Sequence, residues 1–182
     1  AAPATPRGAD DLADVDLLVV NEVEAAALLA ALGTVPGGGG GAHGGDGPVA
    51  AASLVAHVPA GVVTLGADGV AWAERGADGW PVRHTSLRAG TQPAFPVTAI
   101  DTTGAGDTFV GALAVRLGAG EDMPTAVVYA SAAAAIATTR VGAQEAVPYA
   151  SEIEALLSEG ALLTERAPVA ERAPVAGRAG EE

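Results

Sequence analysis

One stretch of this 182-residue chain has the residue types and spacing of a reaction site. Asp101-Thr102-Thr103-Gly104-Ala105-Gly106-Asp107 is a polar, glycine-rich bend, and Phe109, Leu113 and Leu117 follow it at four-residue spacing. That spacing puts three apolar side chains on one helix face, so the bend lies at a helix N-terminus. The first amides of a helix have no intrahelical partner and sit at the positive end of its dipole. Gly104, Ala105 and Gly106 have little or no side chain, so their amides can close on an anion, which predicts a phosphate or oxyanion site. Asp107 stands at its rim. A carboxylate beside bound phosphate costs repulsion, but it makes sense as a base that takes a proton from an attacking hydroxyl. The dipole alone would also favour an acid here, so spacing leaves both readings open.

The elements that must position this bend can be read from patterning. Asp16 to Val20 reads as a buried strand, and Asn21 is a good N-cap with Glu22 and Glu24 in the first turn of a helix to about Leu32. Residues 37–47 are a glycine-rich, low-complexity surface loop; with no Lys, no Ser/Thr at the required spacing and no preceding strand, it is not a phosphate loop. Pro48 opens a short helix through His57. Gly61 to Leu65 is a strand, Gly66 to Gly69 a turn, and Val70 to Ala73 resumes an extended pattern. Asp78-Gly79 predicts a hairpin turn, Trp80 to Leu87 a further strand, and Pro96 to Ile100 another. Glu121 to Pro124 caps a helix from about Thr125 to Thr138, and Gly142 stops it. Ser151 and Glu154 form a capping box for a last helix to about Leu157. The order implies an α/β fold with a mostly parallel sheet flanked by helices. Ligands in such folds bind beyond the strand carboxyl ends, where Asp101 to Asp107 falls. Residues 1–160 form the folded part, and 161–182, with its repeated Arg-Ala-Pro-Val-Ala, reads as a disordered Pro/Ala/Arg/Glu tail.

Composition removes several chemistries. Without Cys there is no disulfide, thiolate zinc site or Cys nucleophile. All nine basic residues are Arg, so a Walker-type loop and Schiff-base catalysis, which need Lys, are excluded. A net charge of −13 opposes nucleic acid and polybasic membrane contact and suits an acidic cytoplasmic protein. Aromatics are 3% and Ala contributes 44 residues, so the core must be Leu, Val and Ala packed closely. No apolar run reaches the roughly 20 residues that span a bilayer. The start, Ala1 to Arg7, lacks both signal-peptide order and Met, and reads as a fragment or processed product.

The stretch Asp101 to Leu113 resembles the second signature of the PfkB carbohydrate-kinase family. Asn21-Glu22-Val23-Glu24 is similar to its N-x-x-E motif, Thr64 to Gly69 to its nucleotide-binding strand and turn, and Ala132 to Gln144 with Pro148 to its ribokinase branch. The resemblance covers roughly residues 1–157 and implies a ribokinase-like fold whose N-terminal half and lid are missing. It implies an ATP-dependent sugar kinase, ribose being the first substrate and a fructokinase or a non-catalytic nucleotide-binding remnant the alternatives. By it, Asp107 is the base at the sugar hydroxyl and contacts the substrate, and Gly104, Ala105 and Gly106 form the anion hole. Asn21 and Glu24 act near Mg²⁺ and the phosphates; an N-cap role for Asn21 is compatible. Thr64, Leu65, Gly66, Ala67, Asp68 and Gly69 border ATP, Gly106 meets its phosphates, and Ser131 falls at the adenine end. Asp101, Thr103, Ala137, Arg140, Gly142 and Ala146 match the positions that hold a monovalent cation, usually K⁺. Ala146 departs from the pattern, which often has a hydroxyl there. The implied partners are a small-molecule sugar and ATP, with no nucleic acid or membrane, and a homodimer is the possible assembly of a full-length enzyme.

Overall fold

A computed structural model describes residues 9–34, 47–76 and 87–166, and these residues hold four strands and five α-helices. β1 (Leu17–Asn21) leads directly into α1 (Glu22–Ala31). α2 (Gly47–Leu54), β2 (Ala60–Thr64), β3 (Val70–Arg75) and β4 (Leu87–Gln92) follow. α3 (Ala105–Gly118), α4 (Met123–Thr138) and α5 (Ala150–Arg166) complete the chain. The strands lie in the order β1-β2-β3-β4.

Alternation along the strands separates two cores. Val63, Ala71 and Ala73 face α1 and α2, packing with Leu28, Leu29 and Leu54. Val62, Val70 and Trp72 face the other way, onto Phe109 and Leu113 of α3 and Val127 of α4. Neighbours on a strand point to opposite faces, so one short sheet serves both helix layers. Phe109, Leu113 and Leu117 do form the inward stripe of α3, as their spacing predicts. α5 packs on α4 through Ile153 against Tyr129, Ala132 and Ala133. Among the described residues, no helix is long and apolar enough to cross a membrane.

The sheet is mixed, which corrects the mostly parallel expectation. Only β1 and β2 run parallel, whereas β2/β3 and β3/β4 are antiparallel. The β2–β3 connection, Leu65 to Gly69, is a tight turn held by Leu65 N–H on the Gly69 carbonyl at 2.8 Å. A turn that short reverses the chain and cannot make a crossover. Gly69 has φ 98°, and a Cβ there would lie 2.1 Å from the Gln92 carbonyl, so β4's exit requires glycine.

Other boundaries moved. The Asp78-Gly79 turn and residues 80–86 lie outside the described residues; the strand found there begins at Leu87. Residues 96–100 form no strand. Pro93 and Pro96 offer no N–H, and the amides of Ile100 and Asp101 donate instead to the Thr138 carbonyl, at 2.7 and 3.1 Å. α2 closes at Leu54, whose carbonyl takes the amides of His57 and Val58 in a turn. α5 starts one residue before Ser151, and Glu152, not Glu154, reaches back to the amide of Tyr149 at 2.8 Å. α5 also continues to Arg166, so 161–166 belong to a helix and not to a tail; Pro168, just beyond, disfavours helix at the residue before it. Residues 37–46 and 167–182 lie outside the described residues, and Gly47 opens α2.

Candidate active site

Gly104 is the N-cap of α3 and has φ 77°, ψ 0°. This left-handed conformation favours glycine, and space favours it too, since a Cβ there would stand 3.0 Å from the Ala143 side chain, which would have to give way. The bend turns the chain so that α3 starts with its amides outward. Among the described residues, the amides of Gly104, Gly106 and Asp107 donate to no protein acceptor. The Ala105 amide departs from the expected set, because it closes a turn on the Thr102 carbonyl at 3.2 Å. Three open amides therefore remain at the positive end of a 14-residue helix.

Asp107 is exposed, and with Gly104 and Thr108 it lines a cleft of about 550 Å³ between α3, α4, α5 and the loop before α5. Val115, Tyr129 and Ile153 contribute apolar wall to the same cleft. Thr108 is buried, and its hydroxyl has no partner among the described residues. Such a cleft can admit a hydroxyl-bearing molecule to the Asp107 carboxylate while the amides hold an anion.

Asp101 ties the bend to the segment after α4. Its Oδ1 accepts the Thr103 N–H at 2.9 Å, and its Oδ2 accepts the Gly142 N–H at 3.0 Å, 41 residues away. The Gly142 bond first, then those from Thr103, pull its pKa from 3.8 to about 2. Gly142, with φ 97°, makes that amide available. Ala137's carbonyl accepts the Arg140 N–H at 3.2 Å, and Ala146 is fully buried. Arg140's side chain turns away to pair with Glu152 on α5. Among the described residues, no cluster of three His, Cys, Asp or Glu could hold a metal.

A second group of expected residues gathers at the carboxyl ends of the two parallel strands. Asn21 and Thr64 are ladder partners, which places the N-x-x-E helix start beside the Thr64 to Gly69 turn. Asn21 Oδ1 accepts the Glu24 N–H at 2.9 Å, and Glu24 Oε2 accepts the Asn21 N–H at 3.0 Å. Both are therefore N-capping residues. Gly66 has φ 57° with open space around it, whereas Gly69's space is taken by the chain at 92–94. Ser131 is buried in α4, its hydroxyl has no partner among the described residues, and it does not line the cleft.

The sequence reading missed Glu152 and the wall formed by Ala143, Gln144 and Val147. Glu152 carried no local signal, since its partner Arg140 belongs to another element.

Residues 2–150 match the family described as pfkB family carbohydrate kinase. The chain belongs to that family. It is 48% identical over 66 residues to the ribokinase of Bacillus subtilis, a stretch covering 36% of this chain and 22% of that protein. The crystal structure of ribokinase from Thermotoga maritima superposes with a TM-score of 0.63 at 32% identity, over 82% of this chain and 44% of that one. A putative ribokinase II from E. coli, in complex with ATP and Mg²⁺, gives a TM-score of 0.61 at 26% identity, over 83% and 42%. The matched region thus spans less than half the length of these relatives. The ribokinase-like α/β fold is common to all of them, and the glycine bend lies within the matched range.

Proposed function

We propose that this chain carries the nucleotide-binding and phosphoryl-transfer part of an ATP-dependent sugar kinase, with ribose as the acceptor and ribose 5-phosphate as the product. The observation that supports this most is the exposed Asp107, which lines the cleft together with Gly104 at the head of α3, where the amides of Gly104, Gly106 and Asp107 have no acceptor among the described residues. In this reading Asp107 takes the proton from the sugar hydroxyl as that oxygen attacks the terminal phosphorus of ATP. The amides of Gly104, Gly106 and Asp107 donate to the phosphoryl oxygens, and ADP leaves. Fixed donors aimed at the oxygens that gain charge lower the barrier without reorganising.

The residues present fit the cofactors. Glu24 spends Oε2 on its capping box and keeps Oε1, which suits contact through water to Mg²⁺, an ion that retains much of its hydration. Bound there with Asn21, Mg²⁺ would neutralise phosphate charge. In this reading K⁺ would be held by oxygens alone, from Asp101, which is held ionised, and from the carbonyls of Thr103, Ala137, Arg140, Gly142 and Ala146, with no side-chain oxygen from Ala146. Arg140 would contribute its carbonyl alone, its side chain being paired. Thr64 and Gly66 border the nucleotide in this proposal, and Ser131, buried in α4, is assigned to its adenine end.

Coverage of less than half of each relative favours a second reading, in which the chain binds nucleotide without turning over. Calorimetry with ATP and Mg²⁺, beside an ADP-release assay with D-ribose, separates the two. If the chain turns over, Asp107→Asn lowers kcat by about 10²–10⁴-fold and leaves ATP binding in place. An Asp107→Asn rate equal to that of the parent chain refutes the base assignment.

A further inference from the structure

We propose that the side chains of Arg140 and Glu152 are a positioning pair for the glycine bend, acting through the segment 141–149. The inference deepens the kinase reading and rests on it, because the bend matters only as an anion hole. The segment joins α4 to α5 and forms one wall of the cleft through Ala143, Gln144, Val147 and Pro148. It is pinned at both ends by carboxylates. At its start, Asp101 accepts the Gly142 N–H at 3.0 Å. At its end, Glu152 Oε2 accepts the Tyr149 N–H at 2.8 Å. The Arg140 guanidinium then bonds both oxygens of Glu152, its Nη1 lying 3.4 Å from Oε2, and so closes the two ends on each other.

What lies between the pins bears on the site. Ala143 abuts Gly104, where a Cβ would come within 3.0 Å of the Ala143 Cβ and 3.1 Å of its Cα. Gly104 is the N-cap that aims the amides of α3. Slack in the segment therefore moves the backing of the bend. Neither Arg140 nor Glu152 lines the cleft, so their effect must pass through the backbone they hold. Both side chains are 35% exposed, and an isolated pair of that kind contributes little to stability. Geometry is a different matter, because a catalytic donor misplaced by about 1 Å can cost on the order of 10²-fold in rate.

The test follows the amide signals of Gly104 and Gly106 by ¹H–¹⁵N NMR, with a titration of inorganic phosphate. Arg140→Ala and Glu152→Gln should shift and broaden those signals and weaken phosphate binding by about tenfold, the loss of one hydrogen bond to a charged group. Arg88→Ala, which removes the Arg88–Glu74 pair on the sheet, away from the bend, should leave both readouts unchanged. The exchanged pair, Arg140→Glu with Glu152→Arg, should return the signals toward those of the parent chain. Arg140→Lys keeps the charge and gives the same readout, more weakly, should Arg140→Ala unfold. Bend signals that stay put in both Arg140→Lys and Glu152→Gln overturn the inference. A parent chain that binds no phosphate counts against the kinase reading alone, and the amide signals still decide the pair.

Discussion

Replacing Gly104 by Ala tests the geometry on which the site depends. Gly104 has φ 77°, where an L-residue costs about 1–2 kcal/mol. The new methyl would also meet Ala143 Cβ at 3.0 Å and Cα at 3.1 Å, so the facing loop must yield by a few tenths of an ångström. Crowding of that kind adds about 1 kcal/mol, for a total of roughly 2–3 kcal/mol. For a chain of this size that corresponds to a fall in Tm of about 4–12 °C. Gly106→Ala is the matched control, because its φ is not positive and nothing lies within 4 Å of its added Cβ. Inside a helix that change should be neutral or stabilise by up to about 1 kcal/mol. Thermal unfolding followed by circular dichroism, on both variants in one buffer, makes the comparison. Gly104→Ala melting at or above the parent temperature, or falling with Gly106→Ala by equal amounts, refutes the argument.

Acid unfolding should show the Asp101 bonds. Its folded pKa of about 2 lies below the ordinary 3.8, so the unfolded chain binds the proton more readily. Its contribution to stability is whole above about 3.8 and is lost as pH falls through about 2, and Asp101→Asn should flatten that part of a urea-midpoint-versus-pH curve. Thr108→Val exchanges a buried, unpartnered hydroxyl for a methyl, and should raise stability by about 1 kcal/mol in urea unfolding. Asn21→Ala removes the N-cap of α1 and should cost about 1 kcal/mol by the same measurement, with no change in the far end of the sheet seen by amide exchange.

Much of this was legible in the chain itself, and the reasons differ by element. β1, β2 and the inward stripe of α3 carry apolar patterns strong enough to fix their type. Asn21 was readable as a cap because a short polar side chain before a helical run has one good use; within the expected cap Glu121 to Pro124 the capping residue is Asp122, and both accept an amide three residues on. Strand direction was less readable. Whether β2 and β3 run parallel turns on a five-residue connection, and apolar runs do not encode that. Residues 96–100 look like a strand until their amides are assigned, because what decides is an acceptor at Thr138, far along the chain. That Gly104 and Asp107 stand at the start of α3 was readable from the local pattern alone. The diversion of the Ala105 amide onto Thr102 and the pairing of Arg140 with Glu152 depend on turn geometry and tertiary packing.

Among the described residues β1 bonds to β2 alone, so one flank of Leu17 to Asn21 keeps its backbone groups free. That flank is short, apolar and lacks the lysines or prolines that usually discourage unwanted pairing of such a strand. At neutral pH a formal charge of −13 holds copies apart. Titration toward the isoelectric point near 4.4 removes that repulsion while the strand stays presented. Self-association should therefore set in on the way to the acid range where Asp101 titrates, and light scattering belongs beside every low-pH measurement on this chain.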